Sequence, residues 1–222
     1  MKIDEIRAML AQAEPQDPCG QLIASGQLRT HDDKTQDYEV RVGWDPVLAH
    51  MCDSEWGDFN IHLLEKVAAL NLPEEDGSAY AKENLQMEDN HWSWLKKSLL
   101  LKEPSYTWFF LVAGKNPQGA ALIYHPKPSA FDNLGIYYIE YIAAAPWNRL
   151  NPFYPKRYCR VGKALVRHIN NYCQKNLKLR PGFSLHALPK AVGFYEALGM
   201  VNIPGHDKDG LLYFEMPEPA NV

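Results

Sequence analysis

The centre of the chain most constrains the fold, because it predicts three consecutive strands. Residues 107–113 (TWFFLVA) are apolar throughout, which is typical of a strand that is buried on both faces. Residues 114–119 predict a hairpin-type turn, and residues 120–124 predict the returning strand. Residues 135–145 predict a long third strand that ends before Pro146. A hairpin with a third neighbour forms a sheet, and such a sheet needs helices or a second sheet to cover its apolar side chains.

Helices are predicted on both sides of these strands. Residues 56–71 and 161–177 repeat apolar side chains at helical spacing, and residues 80–101 are expected to be helical in one or two pieces. The remaining predicted elements are a strand at 183–187, a short helix at 189–198 and a strand at 211–215. The order predicts a mixed α+β fold around one central sheet.

The first part of the chain gives weaker signals. Residues 1–13 predict a short amphipathic helix, and residues 14–36 are polar and predict a loop. A strand is expected at 38–44 and a turn at 76–78. The predicted organisation is therefore an N-terminal extension over residues 1–36 and one domain over residues 37–222.

Charge is segregated along the chain. Residues 141–195 contain no Asp or Glu and ten Lys or Arg, whereas residues 1–140 hold 22 acids and 12 bases, and residues 196–222 hold five acids and one base. The basic segment suits a polyanion. A nucleic-acid binder is disfavoured, because the net charge is −4 and the segment lacks the repeated exposed aromatic residues of a base-stacking surface.

The basic segment contains a short loop that runs into an amphipathic helix, with the sequence RYCRVGKAL at residues 157–165. The free N–H groups of a helix N-terminus bind anions, and small residues such as Gly162 and Ala164 let an anion approach the backbone. Arg157, Arg160 and Lys163 would add formal charge. The other interpretation is that Gly162 only permits a turn and the bases are solvated.

Three segments together resemble a known family. They are the strand YIEYIAAAP at 138–146, the signature R-x-x-R-x-G-x-A-L at 157–165 and the segment FYEALGM at 194–200. In this order they resemble the GNAT superfamily of acyl-CoA-dependent N-acyltransferases, over about residues 105–216. The resemblance implies a mixed, mostly antiparallel central sheet with helices on both faces, in which the fourth and fifth strands splay apart to form a cleft for coenzyme A.

The resemblance also implies an activity and a set of binding residues. The expected reaction moves an acetyl group from acetyl-CoA, the co-substrate, to a primary amine of a small molecule, peptide or protein, without a metal. The alternative is a CoA-binding GNAT-fold sensor or subunit that does no chemistry. The expected CoA-binding residues are Ile142, Ala143, Ala144, Arg157, Arg160, Val161, Gly162, Lys163, Ala164 and Leu165.

Three residues are candidates for proton transfer. The resemblance places Tyr195 where the family has a tyrosine that protonates the leaving thiolate; its alternative role is that of a core aromatic. Glu140 is the expected base, with a water chain as the alternative, because it is the only acid in its strand and would face opposite to Ile139 and Tyr141. His186 is the competing base, unless its ring is held by hydrogen bonds as a structural residue.

The signature departs from the family pattern at Arg160, where the family has glycine. Because arginine does not adopt a positive φ as readily as glycine, the loop is expected to have an ordinary backbone conformation there. The Arg160 guanidinium would then either bind a phosphate or crowd the site. The insert between Pro146 and Arg157 is longer than usual in the family, and its Trp147, Phe153 and Tyr154 could cover the cofactor or shape the acceptor pocket.

The acceptor side is expected to come from residues 40–100, which are acidic and contain Trp44, Trp56, Trp92 and Trp94. Such a surface would attract a cationic amine, unless the tryptophans only pack the helices on the sheet. No run of 18 apolar residues exists, so no membrane segment is predicted. The four scattered cysteines predict reduced thiols in a cytoplasmic protein, and the family resemblance allows a homodimer.

Overall fold

Eight strands form one sheet in the computed structural model, which describes residues 3–12 and 20–217. The strands are β1 (Gln21–Arg29), β2 (Thr35–Val42), β3 (Tyr106–Ala113), β4 (Asn116–Pro128), β5 (Gly135–Ala144), β6 (Phe183–Ala187), β7 (Val201–Asn202) and β8 (Leu212–Glu215). The helices are α1 (Ile3–Gln12), α2 (Pro46–Ala68), α3 (Glu74–Asn84), α4 (Trp94–Leu100), α5 (Val161–Lys175) and α6 (Val192–Glu196). The sheet order is β1-β2-β3-β4-β5-β6-β8-β7, and every neighbouring pair is antiparallel except β5 and β6. The predicted fold class is confirmed.

Different helices cover the two faces of the sheet. On one face, α5 buries Leu165, Val166 and Ile169 completely among apolar side chains of the strands. On the other face, α2 and α4 contribute Trp56 and Trp94, whose rings meet edge to face. Burying side chains of this size contributes about 1.5–3 kcal/mol each, so both faces help to hold the helices on the sheet.

The sequence provides a cap for the start of α2. The Asp45 carboxylate accepts a hydrogen bond from the Leu48 N–H at 2.9 Å, and Pro46 occupies the first helical position, where an N–H would have no helical partner. Such a cap contributes about 1 kcal/mol. The helix therefore begins at Pro46 instead of the expected residue 56.

The expectation of a loop over residues 14–36 is wrong for β1, which spans Gln21–Arg29 and pairs with β2 along its whole length. β1 is an edge strand in which only Leu28 is buried, so it lacks the apolar alternation that identifies a strand. Residues 13–19 lie outside the described part of the chain. The boundary after residue 36 stays a prediction, and it would fall inside β2, which pairs with β1 on both sides of that point.

Of two expected turns, the one at 76–78 is wrong, whereas the hairpin turn between β3 and β4 is present but shorter than expected. Residues 76–78 lie inside α3, whose first turn carries Glu74, Glu75 and Asp76, and carboxylates there are stabilised by the positive end of the helix dipole. The β3–β4 turn consists of Gly114 and Lys115 alone, because β4 already begins at the next residue. The region 80–101 does form two helices, α3 and α4, with a loop over residues 85–93 between them.

An extra residue in β5 determines where the sheet opens. Consecutive residues of β4 face Tyr141 and Ile139, so Glu140 has no residue opposite it and forms a β-bulge. A bulge bends the strand that carries it. Pairing of β5 with β6 extends only as far as Ile139 and Leu185, and beyond that point the two strands diverge. These are the strands expected as the splayed fourth and fifth, and their divergence is confirmed.

The described cysteines, Cys52, Cys159 and Cys173, are free thiols, and Cys19 lies outside the described residues. In the described part of the chain, no helix is both long enough and apolar enough to cross a membrane.

Candidate functional site

A cavity of about 640 Å³ opens where β5 and β6 diverge. The end of β5, the first turn of α5, α6 and the α3–α4 loop enclose it. Eight of the predicted site residues line this cavity: Ile142, Ala143, Ala144, Arg160, Val161, Gly162, Lys163 and Tyr195.

Three predicted CoA-binding residues do not line the cavity. Leu165 is fully buried in the core, and Ala164 packs against the same core. The Arg157 guanidinium lies over the ring of Trp147, 4.7 Å from its centroid. Of the two arginines in the signature, only Arg160 therefore borders the cavity.

Arg160 has a left-handed backbone conformation, with φ +61° and ψ +24°. The expectation of an ordinary conformation is therefore wrong. A non-glycine residue in this region costs about 1–2 kcal/mol, and the surrounding structure must supply that energy. This conformation turns the chain into α5. Arginine at position 160 therefore makes the turn that a glycine would make, but at an energetic cost.

The first turn of α5 can bind an anion. Arg160 precedes the helix without capping it through its side chain, and the N–H groups at the start of a helix have no partner within the helix. Val161, Gly162 and Lys163 border the cavity at this turn. The side chains of Arg160 and Lys163 add positive charge, as does Lys156, which the sequence interpretation missed.

The outer part of β5 offers a free strand edge to the cavity. Ala143 and Ala144 pair with β4 on one side, but β6 has already left on the other side. The Ala144 carbonyl accepts a hydrogen bond from Arg149 Nε at 2.8 Å, so this carbonyl already has a partner. A ligand with amide groups would pair with the remaining groups of this edge, as an added strand does.

Gly119 of β4 lets α5 lie close to this strand. A Cβ at Gly119 would lie 3.1 Å from a methyl of Val161 and 3.3 Å from the Ala143 carbonyl oxygen. Gly162 is less constrained, because a Cβ there would meet only the Phe194 ring, at 3.7 Å. Packing therefore requires glycine at 119 more than at 162.

Tyr195 lies at the inner wall of the cavity. It is 5% exposed, and its ring packs against Phe194 and Phe214. Its hydroxyl makes no hydrogen bond with any described residue, so a bound ligand would find it free. Burial raises the pKa of Tyr195 well above its usual value, which keeps the phenol protonated at neutral pH.

Glu140 lies on the opposite face of the sheet from α5. Ile139 points into the core under α5, whereas Tyr141 packs against α4 and its neighbours on the other face. Because the bulge breaks the alternation, Glu140 lies on the same side as Tyr141, and the expectation that it faces opposite to both neighbours is wrong. Burial raises the pKa of Glu140, and the positive charges of Lys127, Lys208 and Lys97 partly offset this effect.

His186 is held at both ring nitrogens. The Tyr138 hydroxyl lies 2.6 Å from Nδ1, and the His206 carbonyl oxygen lies 2.9 Å from Nε2. Since the carbonyl can only accept, Nε2 carries the proton and Nδ1 accepts from Tyr138. Both ring nitrogens of His186 are therefore occupied, and neither is free to accept a proton from a substrate.

No protein-family model and no curated protein matches the chain. Solved structures do match it. The GNAT domain of PAT from S. lividans superposes with a TM-score of 0.48 at 12% identity, covering 86% of this chain and 96% of that one. A GNAT-family protein from Desulfovibrio desulfuricans gives 0.45 at 15% identity, covering 81% and 98%. The N-acetyltransferase PseH of Campylobacter jejuni gives 0.38 at 13% identity, covering 80% and 96%.

The chain is similar to GNAT-family proteins of known structure. At these identities and TM-scores the likeness concerns the fold alone, and the role of each residue in this GNAT-like chain has to come from its own contacts.

The predicted tryptophan surface of the GNAT-like fold is divided. Trp56 and Trp94 are buried in the core between the helices and the sheet, as the packing alternative supposed. Trp92 packs edge-on against the Tyr141 ring at 4.9 Å, next to Glu140. Trp44 is largely exposed, with the Lys102 ammonium over its ring.

Sequence interpretation missed a group of aromatic and basic side chains around Glu140. Its half-buried members are Lys97, Tyr106, Tyr124, Lys127, Tyr138 and Tyr141. They come from α4, β3, β4 and β5, so only the sheet register brings them together. In the described residues, no group of three His, Cys, Asp or Glu side chains is arranged to hold a metal ion.

Proposed function

We propose that this chain is an N-acetyltransferase that moves an acetyl group from acetyl-CoA to a primary amine. The observation that carries the proposal is the opening between β5 and β6, which has an uncapped, basic helix N-terminus on one face and Glu140 on the other. Acetyl-CoA bound in this opening places its thioester near the point where β5 and β6 begin to diverge. The amine can then approach from the face of the sheet opposite α5.

The binding step uses the free groups of the cavity. The diphosphate of acetyl-CoA lies on the first-turn N–H groups of α5, with Arg160, Lys163 and Lys156 as counter-charges. The pantetheine arm runs along Ile142–Ala144 toward Glu140, because α5 starts beside the C-terminal end of β5. An N–H of this strand donates to the thioester carbonyl and stabilises the negative charge that develops there.

The transfer needs two proton movements. The carboxylate of Glu140, directly or through water, accepts a proton from the ammonium form of the acceptor, which frees the nitrogen lone pair. The nitrogen then bonds to the thioester carbon, the C–S bond breaks, and the nitrogen loses its second proton to give the amide. The Tyr195 hydroxyl donates its proton to the departing thiolate, and the phenolate is reprotonated by the proton released from the nitrogen, through solvent. The products are an amide and free CoA.

One arrangement favours the alternative of a CoA-binding sensor or subunit. The Arg149 guanidinium already donates a hydrogen bond to the Ala144 carbonyl, and the carboxylates of Glu88 and Asp89 border the same cavity as the basic residues. These groups oppose a strand-like, anionic ligand unless the α3–α4 loop moves. Binding without turnover would be the result that supports this alternative.

A polyanion such as nucleic acid is not part of the proposal. Four bases of the basic segment have partners inside the fold: Arg149 pairs with Asp89, Arg157 lies over Trp147, Arg180 pairs with Asp132, and Lys190 binds the end of α3. The segment therefore presents less free charge than its composition suggests. A cytoplasmic location and a homodimer remain proposals that accompany this activity.

The test combines binding with turnover. Isothermal titration with acetyl-CoA should give a micromolar dissociation constant that Arg160→Ala weakens about ten-fold, as expected for the loss of one charged contact. Arg157→Ala is the matched control, since it removes the same charge three residues away but outside the cavity. Release of free thiol with a panel of primary amines then tests transfer. No binding by the unmodified protein would refute the proposal.

A further inference from the structure

The local charge around Glu140 is positive, although the first 140 residues are acidic overall. The charged groups that act on its carboxylate are the ammonium groups of Lys127, Lys208 and Lys97. Tyr106 and Tyr138 lie close enough for Glu140 to affect their hydroxyl groups. The charged groups that act on Glu140 are thus all cations, and tyrosine rings lie beside it, which is a poor environment for a polycationic amine.

Lys127 already has partners in the fold. Its ammonium lies 2.8 Å from the Tyr213 hydroxyl and 3.3 Å from the Ser184 hydroxyl. Tyr213 in turn donates to the fully buried carboxylate of Glu215 at 2.8 Å. These contacts link Lys127 to Glu215 through Tyr213. The Lys127 ammonium is therefore already engaged within the fold and is not free to bind a ligand.

Lys97 has no such partner. Its ammonium lies 3.6 Å from the centroid of the Tyr141 ring, and it forms no salt bridge or hydrogen bond with any described side chain. Trp92 makes a T-shaped contact with the same ring. The Tyr141 ring therefore places beside the bulge, one residue from Glu140, a cation that is not held in a salt bridge or hydrogen bond by any described side chain.

An unpaired cation and a carboxylate at one site suit a ligand with both signs of charge. We propose that the acceptor is an amine that also carries an anionic group, such as an amino acid, a peptide with a free carboxylate, or an aminoalkyl phosphate. Its amine is bound at Glu140 and its anionic group at Lys97. The inference rests on the proposed acetyl transfer and specifies the acceptor class for that site. It replaces the expectation of a cationic acceptor.

The test compares acceptors of equal shape and different charge. Initial rates with acetyl-CoA are measured for amino acids against their amides, for aminoalkyl phosphates against the corresponding amino alcohols, and for spermidine. We expect kcat/KM to be about ten-fold or more higher for the anionic member of at least one pair. The pair that shows the preference distinguishes a carboxylate from a phosphate.

Variants of neighbouring lysines assign the preference to a residue. Lys97→Gln should abolish the preference, mainly through KM, and Lys97→Glu should shift it toward spermidine. Lys96→Gln is the matched control, because Lys96 is the exposed neighbour in α4 and should keep the preference. Unfolding midpoints of the three variants show whether any has lost its fold.

The outcomes separate this inference from the proposed function. If acetyl-CoA binds and amines are acetylated with no preference for an anionic group, the inference is wrong and the acetyltransferase proposal stands. A preference that survives Lys97→Gln also overturns it. If no amine in the panel is acetylated, both proposals fail together.

Discussion

The Arg149 guanidinium and the Asp89 carboxylate face each other in paired contacts of 2.5 and 2.6 Å. Both side chains are nearly buried, and Arg149 also donates to the carbonyls of Gln86 and Ala144. One residue of the segment after β5 therefore holds the α3–α4 loop against the end of β5.

A second set of hydrogen bonds holds the α3–α4 loop from the other side of the cleft. The Lys190 ammonium donates to the Leu85 carbonyl at 2.7 Å, to the Glu83 carbonyl at 3.1 Å and to the Lys82 carbonyl, at the C-terminal end of α3. A cation is favoured there by the helix dipole. The loop between α3 and α4 is thus fastened to both diverging strands, and it borders the cavity that would receive acetyl-CoA.

Removing the carboxylate that pairs with Arg149 should loosen the α3–α4 loop. Asp89→Ala leaves the Arg149 guanidinium nearly buried without its carboxylate, so we expect the free energy of unfolding to fall by about 1.5–3 kcal/mol. Urea denaturation measures this change. Asp58→Ala, which removes an exposed carboxylate from α2, should change stability little. An equal effect of the two substitutions would contradict the buried contact.

Arg160→Gly should stabilise the protein while weakening its ligand binding. Glycine adopts a positive φ without the steric cost that Arg160 bears, and the gain should be about 0.5–1 kcal/mol after the greater freedom of the unfolded chain is subtracted. Denaturant unfolding measures the gain, and titration with acetyl-CoA measures the lost charge.

Arg157→Gly is the control for that result, because Arg157 does not have a positive φ and its guanidinium packs on Trp147. This substitution should lower stability. A loss of stability in Arg160→Gly would mean that the guanidinium makes a contact worth more than the backbone strain.

Tyr195→Phe should reduce turnover without reducing acetyl-CoA affinity. The hydroxyl has no partner among the described residues, so stability should stay within about 0.5 kcal/mol of the parent protein. A proton donor typically contributes about 10²–10⁴-fold to a rate, so a drop in kcat of at least 10²-fold is expected. Tyr172→Phe, in α5 against Phe109, is the matched control and should keep its rate. Unchanged kcat in Tyr195→Phe would leave Tyr195 as a core aromatic.

Local pattern was sufficient for elements that are buried along most of their length. β6 occupies residues 183–187 as predicted, because its apolar side chains are bounded by Gly182 on one side and Pro189 beyond the other. β1 was missed because an edge strand buries only one residue, Leu28, and its hydrogen-bonding partner follows later in the chain. Such a strand is identified by its pairing and not by its composition.

The parts of the site that sequence reasoning missed all depend on register or on backbone strain. The bulge at Glu140 exists only because β4 and β5 pair with one residue in excess, and it places Glu140 and Tyr141 on the same face of the sheet, whereas strict alternation would place them on opposite faces. Arg160 adopts a conformation that its residue type disfavours. Lys97 reaches Tyr141 from a separate helix. None of these relations is encoded within a single segment.

Glu140 should make both activity and stability depend on pH. Burial raises the pKa of its carboxyl group above the ordinary value of 4.5 in the folded protein. Between the ordinary and the raised value, the folded chain holds a proton that the unfolded chain has lost, so stability decreases as pH rises through this window. Glu140→Gln stays neutral and should be more stable than the parent protein above the window, with the difference shrinking as pH falls through the window toward 4.5.

The same titration should appear in the rate. If Glu140 accepts the proton of the acceptor, kcat/KM of the parent protein falls as pH decreases through the raised pKa, and Glu140→Gln lowers the rate and removes this acidic limb. Glu103→Gln, an exposed carboxylate before β3, should change neither profile. A Glu140→Gln variant that keeps the acidic limb but shows the stability change would place Glu140 as a buried carboxyl outside the chemistry, and would assign proton removal to a water chain.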